Sequence, residues 1–211
     1  KAQSREPITA KLVANLITAA GADRVLSIDL HADQIQGFFD IPLDNLSASP
    51  IIADYINEKK DIVIVSPDAG GAKKASKLAK ALDVPLAVID KRREKHNEVS
   101  EMNVIGDIKG RNCIIVDDMI DTAGTITQAA KALSEKGAGE VYIASTHAVL
   151  SDPALERLEN CPAKEVILTD TIPTGSNLPS KVKIVSVAKL LGEAVKRIHL
   201  NKSVSELLDI G

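Results

Sequence analysis

The chain has 211 residues, which is enough for one or two domains with a sizeable core. Hydrophobic residues make up 45% of it but aromatic residues only 2%, so the core must be built from aliphatic side chains. The net charge of −3 excludes a global basic field for nucleic acid, and no apolar run approaches the roughly 18 residues that a membrane span needs.

Segments with the apolar spacing of helices alternate with short apolar runs that are typical of strands. The predicted helices span residues 7–20, 50–58, 69–82, 125–136, 153–158, 187–198 and 204–208. The predicted strands span residues 25–30, 61–65, 86–89, 113–116, 141–146, 166–169 and 182–187, and residues 104–110 predict a short strand and turn. Residues 31–39 predict a turn or short helix, and residues 42–49 and 172–181 predict loops. Because most strands are unbroken apolar runs, the pattern predicts an α/β fold with a parallel sheet covered by helices on both faces.

The two cysteines, Cys113 and Cys161, have the spacing of neither a zinc site nor a disulfide framework. No signal peptide is visible, and together these features favour a reducing, cytoplasmic environment. The chain begins at Lys1 with a short charged lead-in, so we expect it to be part of a longer protein.

Polar clusters directly follow five of the predicted strands. They begin at His31, Asp68, Lys91, Asp117 and Thr169. Since ligands of parallel sheets bind beyond the carboxyl ends of the strands, we expect the functional residues among these clusters.

The stretch from Cys113 to Thr125 is the most specific pattern in the chain. Its apolar run predicts a buried strand that ends in the carboxylates Asp117 and Asp118, and a short polar turn then leads into a helix. Backbone N–H groups at such a helix N-terminus bind phosphate, and carboxylates beside it suit sugar hydroxyls or a Mg²⁺-bound polyphosphate. The competing interpretation is an ordinary turn with solvated acids and a threonine helix cap.

Three further clusters have a functional and a structural interpretation each. His31 suits Mg²⁺-bound phosphate groups, although a lone histidine at a strand end is more often structural. Asp68 lies in a Ser-Pro-Asp-Ala-Gly-Gly turn, where it serves either as a hard oxygen ligand or as a helix cap. Lys91 and Arg93 begin a charged segment that either neutralises a transferring phosphoryl group or is a solvated charge run.

Residues 116–125 resemble the phosphoribosyl-pyrophosphate (PRPP) binding motif of type I phosphoribosyltransferases. Additional matches extend the resemblance over essentially the whole chain and point to the ribose-phosphate pyrophosphokinase family (class I PRPP synthetases) within that superfamily. These matches lie at residues 4–12, 29–39, 65–73, 90–93 and 203–208. Asp33 departs from the family pattern, which usually has a small residue there. The resemblance implies a phosphoribosyltransferase-like α/β fold in tandem domains, of which the N-terminal one is incomplete.

The resemblance also implies a reaction for nucleotide biosynthesis, the transfer of the pyrophosphoryl group of Mg·ATP to the C1 hydroxyl of ribose 5-phosphate. It implies that Lys91 and Arg93 stabilise the transition state from a flexible loop, and that His31 and Asp68 serve the Mg²⁺–ATP. The residues it implies for ribose 5-phosphate are Asp117, Asp118, Asp121, Thr122, Ala123, Gly124 and Thr125.

Regulation and assembly are implied by the same resemblance. Arg5, Ser203 and Ser205 correspond to part of an anion site where phosphate activates and ADP inhibits, in a homo-hexamer built from dimers. The implied domains are 1–48, the remainder of an N-terminal domain, and 49–198, the domain with the PRPP motif. Residues 199–211 are expected to pack back on the first domain.

Two alternatives remain open. A salvage phosphoribosyltransferase that consumes PRPP shares residues 117–125 but does not explain the His31 and Asp68 clusters. A non-catalytic regulatory homologue is expected to have lost its loop cations or metal ligands, whereas His31, Asp68, Lys91 and Arg93 are all present.

Overall fold

The computed structural model describes residues 8–91 and 102–207, which divide into two compact units. The first unit comprises the described residues up to Ser47 and those from Glu193 onward, and the second comprises the described residues from Ala48 to Gly192. The domain limits drawn from the resemblance stay a prediction.

The first unit contains a helix and a small parallel sheet. Helix α1 is Thr9–Ala19, and strand β1, Val25–Ile28, pairs in parallel with β2, Leu43–Leu46. A 3₁₀ helix, Asp33–Phe38, lies between the two strands in the chain. Strand β2 falls in a segment that we predicted to be a loop. Its polar residues Asp44 and Asn45 do not have the apolar pattern of a strand, and the strand forms because it pairs with β1.

The second unit is built on a sheet of seven strands. In chain order they are β3 (Ile62–Ser66), β4 (Leu86–Lys91), β5 (Met102–Ile105), β6 (Asn112–Ile120), β7 (Val141–Ala148), β8 (Glu165–Thr169) and β9 (Val182–Val185). The spatial order is β5-β4-β3-β6-β7-β8-β9, and all pairs are parallel except β4 with the edge strand β5. The prediction of an α/β fold with a mostly parallel sheet is confirmed.

Helices connect the strands of this sheet and cover it. They are α2 (Ser49–Ile56), α3 (Ala72–Ala81), α4 (Gly124–Glu135) and α5 (Ala154–Asn160), followed by α6 (Ala188–His199), which enters the first unit. One aliphatic core cluster joins α4 and α5 to the sheet, and a second joins α2 and α3 to it. Helices therefore flank both faces, as a sheet of buried parallel strands requires.

Strand β6 is longer than its apolar run predicted. We expected it to end at Val116, but it continues to Ile120 because pairing with β7 continues through Met119 and Ile120. Asp117 and Asp118 therefore lie inside the strand.

The segment predicted as a last helix is a 3₁₀ turn, Ser205–Leu207. Within residues 8–91 and 102–207, every helix is too short or too polar to cross a membrane.

Candidate active site

The carboxyl ends of three neighbouring strands bring most of the predicted site residues of the second unit to one edge of the sheet. Strands β4, β3 and β6 are adjacent and parallel, so the segments that follow them leave the sheet side by side. Asp68 follows β3, Lys91 is the last residue of β4, and Asp117 lies in the C-terminal half of β6. Arg93 lies outside the described residues.

A small pocket forms where β6 turns into α4. Its lining residues are Asp117, Met119, Ile120, Asp121, Thr122, Ala123, Gly124, Thr125 and Ile126. The residue before the helix, Ala123, is buried and has a φ of 58°, a left-handed conformation that is costly for a residue with a side chain. This conformation lets α4 begin abruptly at Gly124.

The first turn of α4 has free hydrogen-bond donors. In the described part of the chain no side chain caps this helix. The amides of Gly124, Thr125 and Ile126 open the helix, so they have no carbonyl partner within it. A helix N-terminus with unpaired N–H groups is a favourable environment for a phosphate dianion.

The carboxyl group of Asp117 lies in an unfavourable environment for a charge. Burial is the main reason that the pKa of Asp117 is raised to about 7, and the adjacent Asp118 and Asp68 carboxylates raise it further. One bond opposes this shift, because the amide of Asp118 donates to Asp117 Oδ1 at 2.8 Å. A ligand that donates hydrogen bonds, or a cation, would favour the ionised form of this cluster.

The turn after β3 holds Asp68 in one orientation. The amide of Gly71 donates to Asp68 Oδ1 at 2.9 Å, and the hydroxyl of the buried Ser66 donates to the Asp68 carbonyl at 2.7 Å. Gly71 is required by close packing, since a Cβ there would lie 2.9 Å from Ser66 Oγ. Asp68 itself is exposed.

Gly71→Ala is expected to destabilise the protein by about 1–3 kcal/mol, because Ser66 must give up its bond to the Asp68 turn. The free energy of unfolding in urea measures the effect. Gly175→Ala is the matched control, since nothing lies within 4 Å of a Cβ at Gly175. Equal stability of the two variants would show that the turn tolerates the added methyl group.

His31 lies in the first unit, in a turn that β2 organises. Asn45 Oδ1 accepts hydrogen bonds from the Leu30 amide and from the Ser27 hydroxyl, both at 3.1 Å. The neighbouring Asp29 is buried with a φ of 46° and accepts a bond from Ser47 at 3.2 Å. The turn is thus fixed by residues that we had predicted to be a loop, and it leaves His31 exposed.

Ser203 and Ser205, the two described members of the implied anion site, also lie in the first unit. Their hydroxyl groups are 3.0 Å apart, and the Ser205 amide donates to Ser203 Oγ at 3.2 Å. The carbonyl of Ser203 accepts a bond from Arg197, which also pairs with Glu206 at 2.8 Å. Arg5 lies outside the described residues.

Arg157 contacts the loop between β6 and α4, which the sequence did not indicate. It lies in α5 and donates from Nη1 to the carbonyl of Thr122 at 2.9 Å. Thr122 belongs to the loop of residues 121–123 between β6 and α4, which we call the phosphate loop. The two residues are 35 positions apart in the chain, and an exposed arginine in a short helix carries no local signal of function.

The chain resembles enzymes of one family throughout its length. Residues 92–209 match the model of the phosphoribosyl synthetase-associated domain. A ribose-phosphate pyrophosphokinase of Caldanaerobacter subterraneus subsp. tengcongensis is 56% identical over 211 residues, which cover 98% of this chain and 67% of the relative. A ribose-phosphate pyrophosphokinase of Fusobacterium nucleatum is 54% identical, with 99% and 68% covered.

A solved structure gives the same result. The crystal structure of phosphoribosylpyrophosphate synthetase from Mycobacterium smegmatis is 48% identical and superposes with a TM-score of 0.87, over 94% of this chain and 66% of that one. The present chain thus spans about two thirds of the length of these relatives.

Proposed function

The chain belongs to the ribose-phosphate pyrophosphokinase family, and we propose from this membership that it catalyses the family reaction. In that reaction the C1 hydroxyl of ribose 5-phosphate attacks the β-phosphorus of ATP, so that PRPP and AMP are formed. The observation that carries the proposal is the convergence of three features at one sheet edge: the uncapped N-terminus of α4, the Asp117–Asp118 pair and the Asp68 turn. They suit a phosphate, sugar hydroxyls and a metal–nucleotide complex, respectively.

Ribose 5-phosphate binds, in this proposal, at the pocket between β6 and α4. The 5-phosphate accepts hydrogen bonds from the first amides of α4 and from the hydroxyl groups of Thr122 and Thr125, while Asp121, Ala123 and Gly124 form the rest of the loop. Asp117 and Asp118 accept hydrogen bonds from the ribose hydroxyls. Burial disfavours the ionised form of Asp117, and each hydrogen bond that a ribose hydroxyl donates to this carboxylate favours the ionised form.

Mg·ATP is the second substrate, and Asp68 and His31 are its proposed protein ligands. No three or more His, Cys, Asp or Glu residues within 8–91 and 102–207 are grouped so that they could enclose a metal ion. Mg²⁺ does not require such a cage, since it commonly binds one or two carboxylates together with substrate phosphates. When bound, Mg²⁺ neutralises phosphate charge and orients the polyphosphate. The carboxylate of Asp68, held by the Gly71 amide, fits that role.

Lys91 and Arg93 are the proposed catalytic residues. The protein has little covalent chemistry to perform in phosphoryl transfer, so rate enhancement comes from positioning and from neutralising charge on the transferring group. Lys91 ends β4, directly beside the strand that leads to Asp68, and this position in the chain supports the proposed role.

The domain limits, assembly and regulation are proposals as well. Helix α1 exposes a row of apolar side chains that a further part of an N-terminal domain would cover, namely Ile8, Leu12, Val13 and Leu16, at 46–60% exposure. This supports residues 1–48 as the remainder of such a domain, followed by 49–198 and a terminal segment 199–211. A cytoplasmic hexamer, with phosphate and ADP as effectors near Arg5, Ser203 and Ser205, follows from the family alone.

One assay separates this function from the alternatives. A protein with the full length of the relatives, incubated with Mg²⁺, ATP and ribose 5-phosphate, is expected to form AMP and PRPP in equal amounts. A salvage phosphoribosyltransferase would consume added PRPP with a nucleobase and form no AMP from ATP, and a regulatory homologue would do neither. Absence of AMP from such a protein would refute the proposed reaction.

A further inference from the structure

The phosphate pocket at the start of α4 has no positive side chain in its own lining. None of its nine described lining residues is Lys or Arg, whereas Asp117 and Asp121 are acidic. A sugar phosphate carries up to two negative charges at neutral pH. Helix amides and the helix dipole favour an anion there, but the two carboxylates oppose it. A cation from another element would offset the negative charge of these two carboxylates.

Arg157 is a cation placed against this pocket from outside its lining. Its Nη1 donates to the Thr122 carbonyl at 2.9 Å and lies 3.2 Å from the position that a Cβ of Gly124 would occupy. The guanidinium group therefore covers the first turn of α4, where the phosphate loop enters the helix. Within residues 8–91 and 102–207 it has no carboxylate partner, so its positive charge is not neutralised by an ion pair.

The bond to Thr122 has a second consequence. The carbonyl of Thr122 is held toward α5 because it accepts this bond from Arg157. The loop needs such support because Ala123 is in a left-handed conformation that surrounding contacts must maintain.

We propose that Arg157 is a positioning residue for the 5-phosphate, which fixes the phosphate loop through Thr122 and supplies the positive charge that the pocket lining lacks. This inference rests on the proposed function for the identity of the sugar phosphate. The recognised chemistry, a phosphate monoester at the N-terminus of α4, does not depend on the transfer reaction.

Arg157→Gln tests the charge, Arg157→Lys restores it, and Arg111→Gln is the matched control. Arg111 is also an arginine of the second unit, but it precedes β6 at the opposite edge of the sheet and pairs with Asp61 at 2.8 Å. For each variant of a protein with the full length of the relatives, the Kd for ribose 5-phosphate, the Kd for Mg·ATP and kcat are measured at two ionic strengths. Thermal unfolding reports whether the variants fold.

Arg157→Gln is expected to weaken ribose 5-phosphate binding about tenfold and to reduce its dependence on ionic strength. Mg·ATP binding and kcat at saturating substrate should change less than about twofold, and Arg157→Lys should recover most of the loss. Arg111→Gln should bind like the parent. Unchanged ribose 5-phosphate binding in Arg157→Gln would overturn the proposal, as would a lysine variant as weak as the glutamine variant at both ionic strengths.

The two proposals fail separately. If the parent protein binds ribose 5-phosphate through Arg157 but forms no AMP, the transfer reaction is wrong and the inference stands. If the parent forms AMP and PRPP but Arg157→Gln is indistinguishable from it, the function stands and the inference is wrong.

Discussion

Lys91→Ala is expected to lower kcat for PRPP formation by about three orders of magnitude, while the Kd for ribose 5-phosphate changes less than about twofold. The reason is that negative charge builds up on the transferring group only as the reaction proceeds, so a cation aimed at it stabilises the transition state far more than the ground state. Lys91 is the last residue of β4, and its main chain pairs with Met102 of β5. This pairing keeps the backbone in place when the side chain is removed.

Stopped-flow or steady-state measurement of AMP formation, together with calorimetric binding of ribose 5-phosphate, separates the two parameters. Lys80→Ala removes an exposed lysine from the C-terminal end of α3, away from the carboxyl edge of the sheet, and serves as the control. Arg93→Ala should have an effect similar to Lys91→Ala. Because both cations are proposed to act on one transition state, the double variant should lose less than the product of the two single effects. An equal loss of binding and turnover in Lys91→Ala would assign the lysine a structural role instead.

Asp117→Asn is expected to have opposite effects on stability and on function. Burial and the neighbouring carboxylates raise the pKa of Asp117 to about 7, so the folded protein holds a proton there that the unfolded chain releases near pH 4. A raised carboxyl pKa contributes stability that is fully present below about pH 4 and is lost as pH rises toward 7. Above pH 7 the buried charge is a cost, and Asn removes it.

Unfolding in urea from pH 5 to pH 8 measures this difference. The free energy of unfolding of Asp117→Asn, relative to the parent, should rise with pH and reach on the order of 2 kcal/mol at pH 8. At the same time the KM for ribose 5-phosphate should increase about 10- to 100-fold, because a carboxylate acceptor for the ribose hydroxyls is lost. Asp54→Asn, which removes an exposed carboxyl from α2, is the control. A stability difference that does not vary between pH 5 and pH 8 would mean that Asp117 does not titrate in this range.

These two predictions depend on different kinds of information. The role proposed for Lys91 came from its position after an apolar run and from the family resemblance, and the structure adds that its strand is adjacent to β3. The properties of Asp117 could not be predicted in this way. The sequence indicated that β6 would end before the acids, and solvated acids at a strand end have ordinary pKa values.

The same contrast holds for the turns that support the site. The glycines after Asp68 indicated a close backbone approach, and Gly71 indeed packs against Ser66. By contrast, Asn45 supports the His31 turn from strand β2, whose polar sequence did not predict a strand. Arg157 likewise reaches Thr122 from a helix far along the chain. Local patterns report local structure, and such contacts are made only when distant segments pack.

The sequence by itself determined the α/β class, the parallel sheet, the family and the positions of the phosphate loop and its acids, because apolar periodicity and turn residues act over a few neighbouring positions. Only the tertiary structure decided that β6 extends through Asp117 and Asp118, that an edge strand runs antiparallel, and that Arg157 lies over the first turn of α4. Strand length depends on the hydrogen bonds of the neighbouring strand, and the charge balance of a site depends on every element packed around it. Neither quantity is encoded in the residues of the site alone.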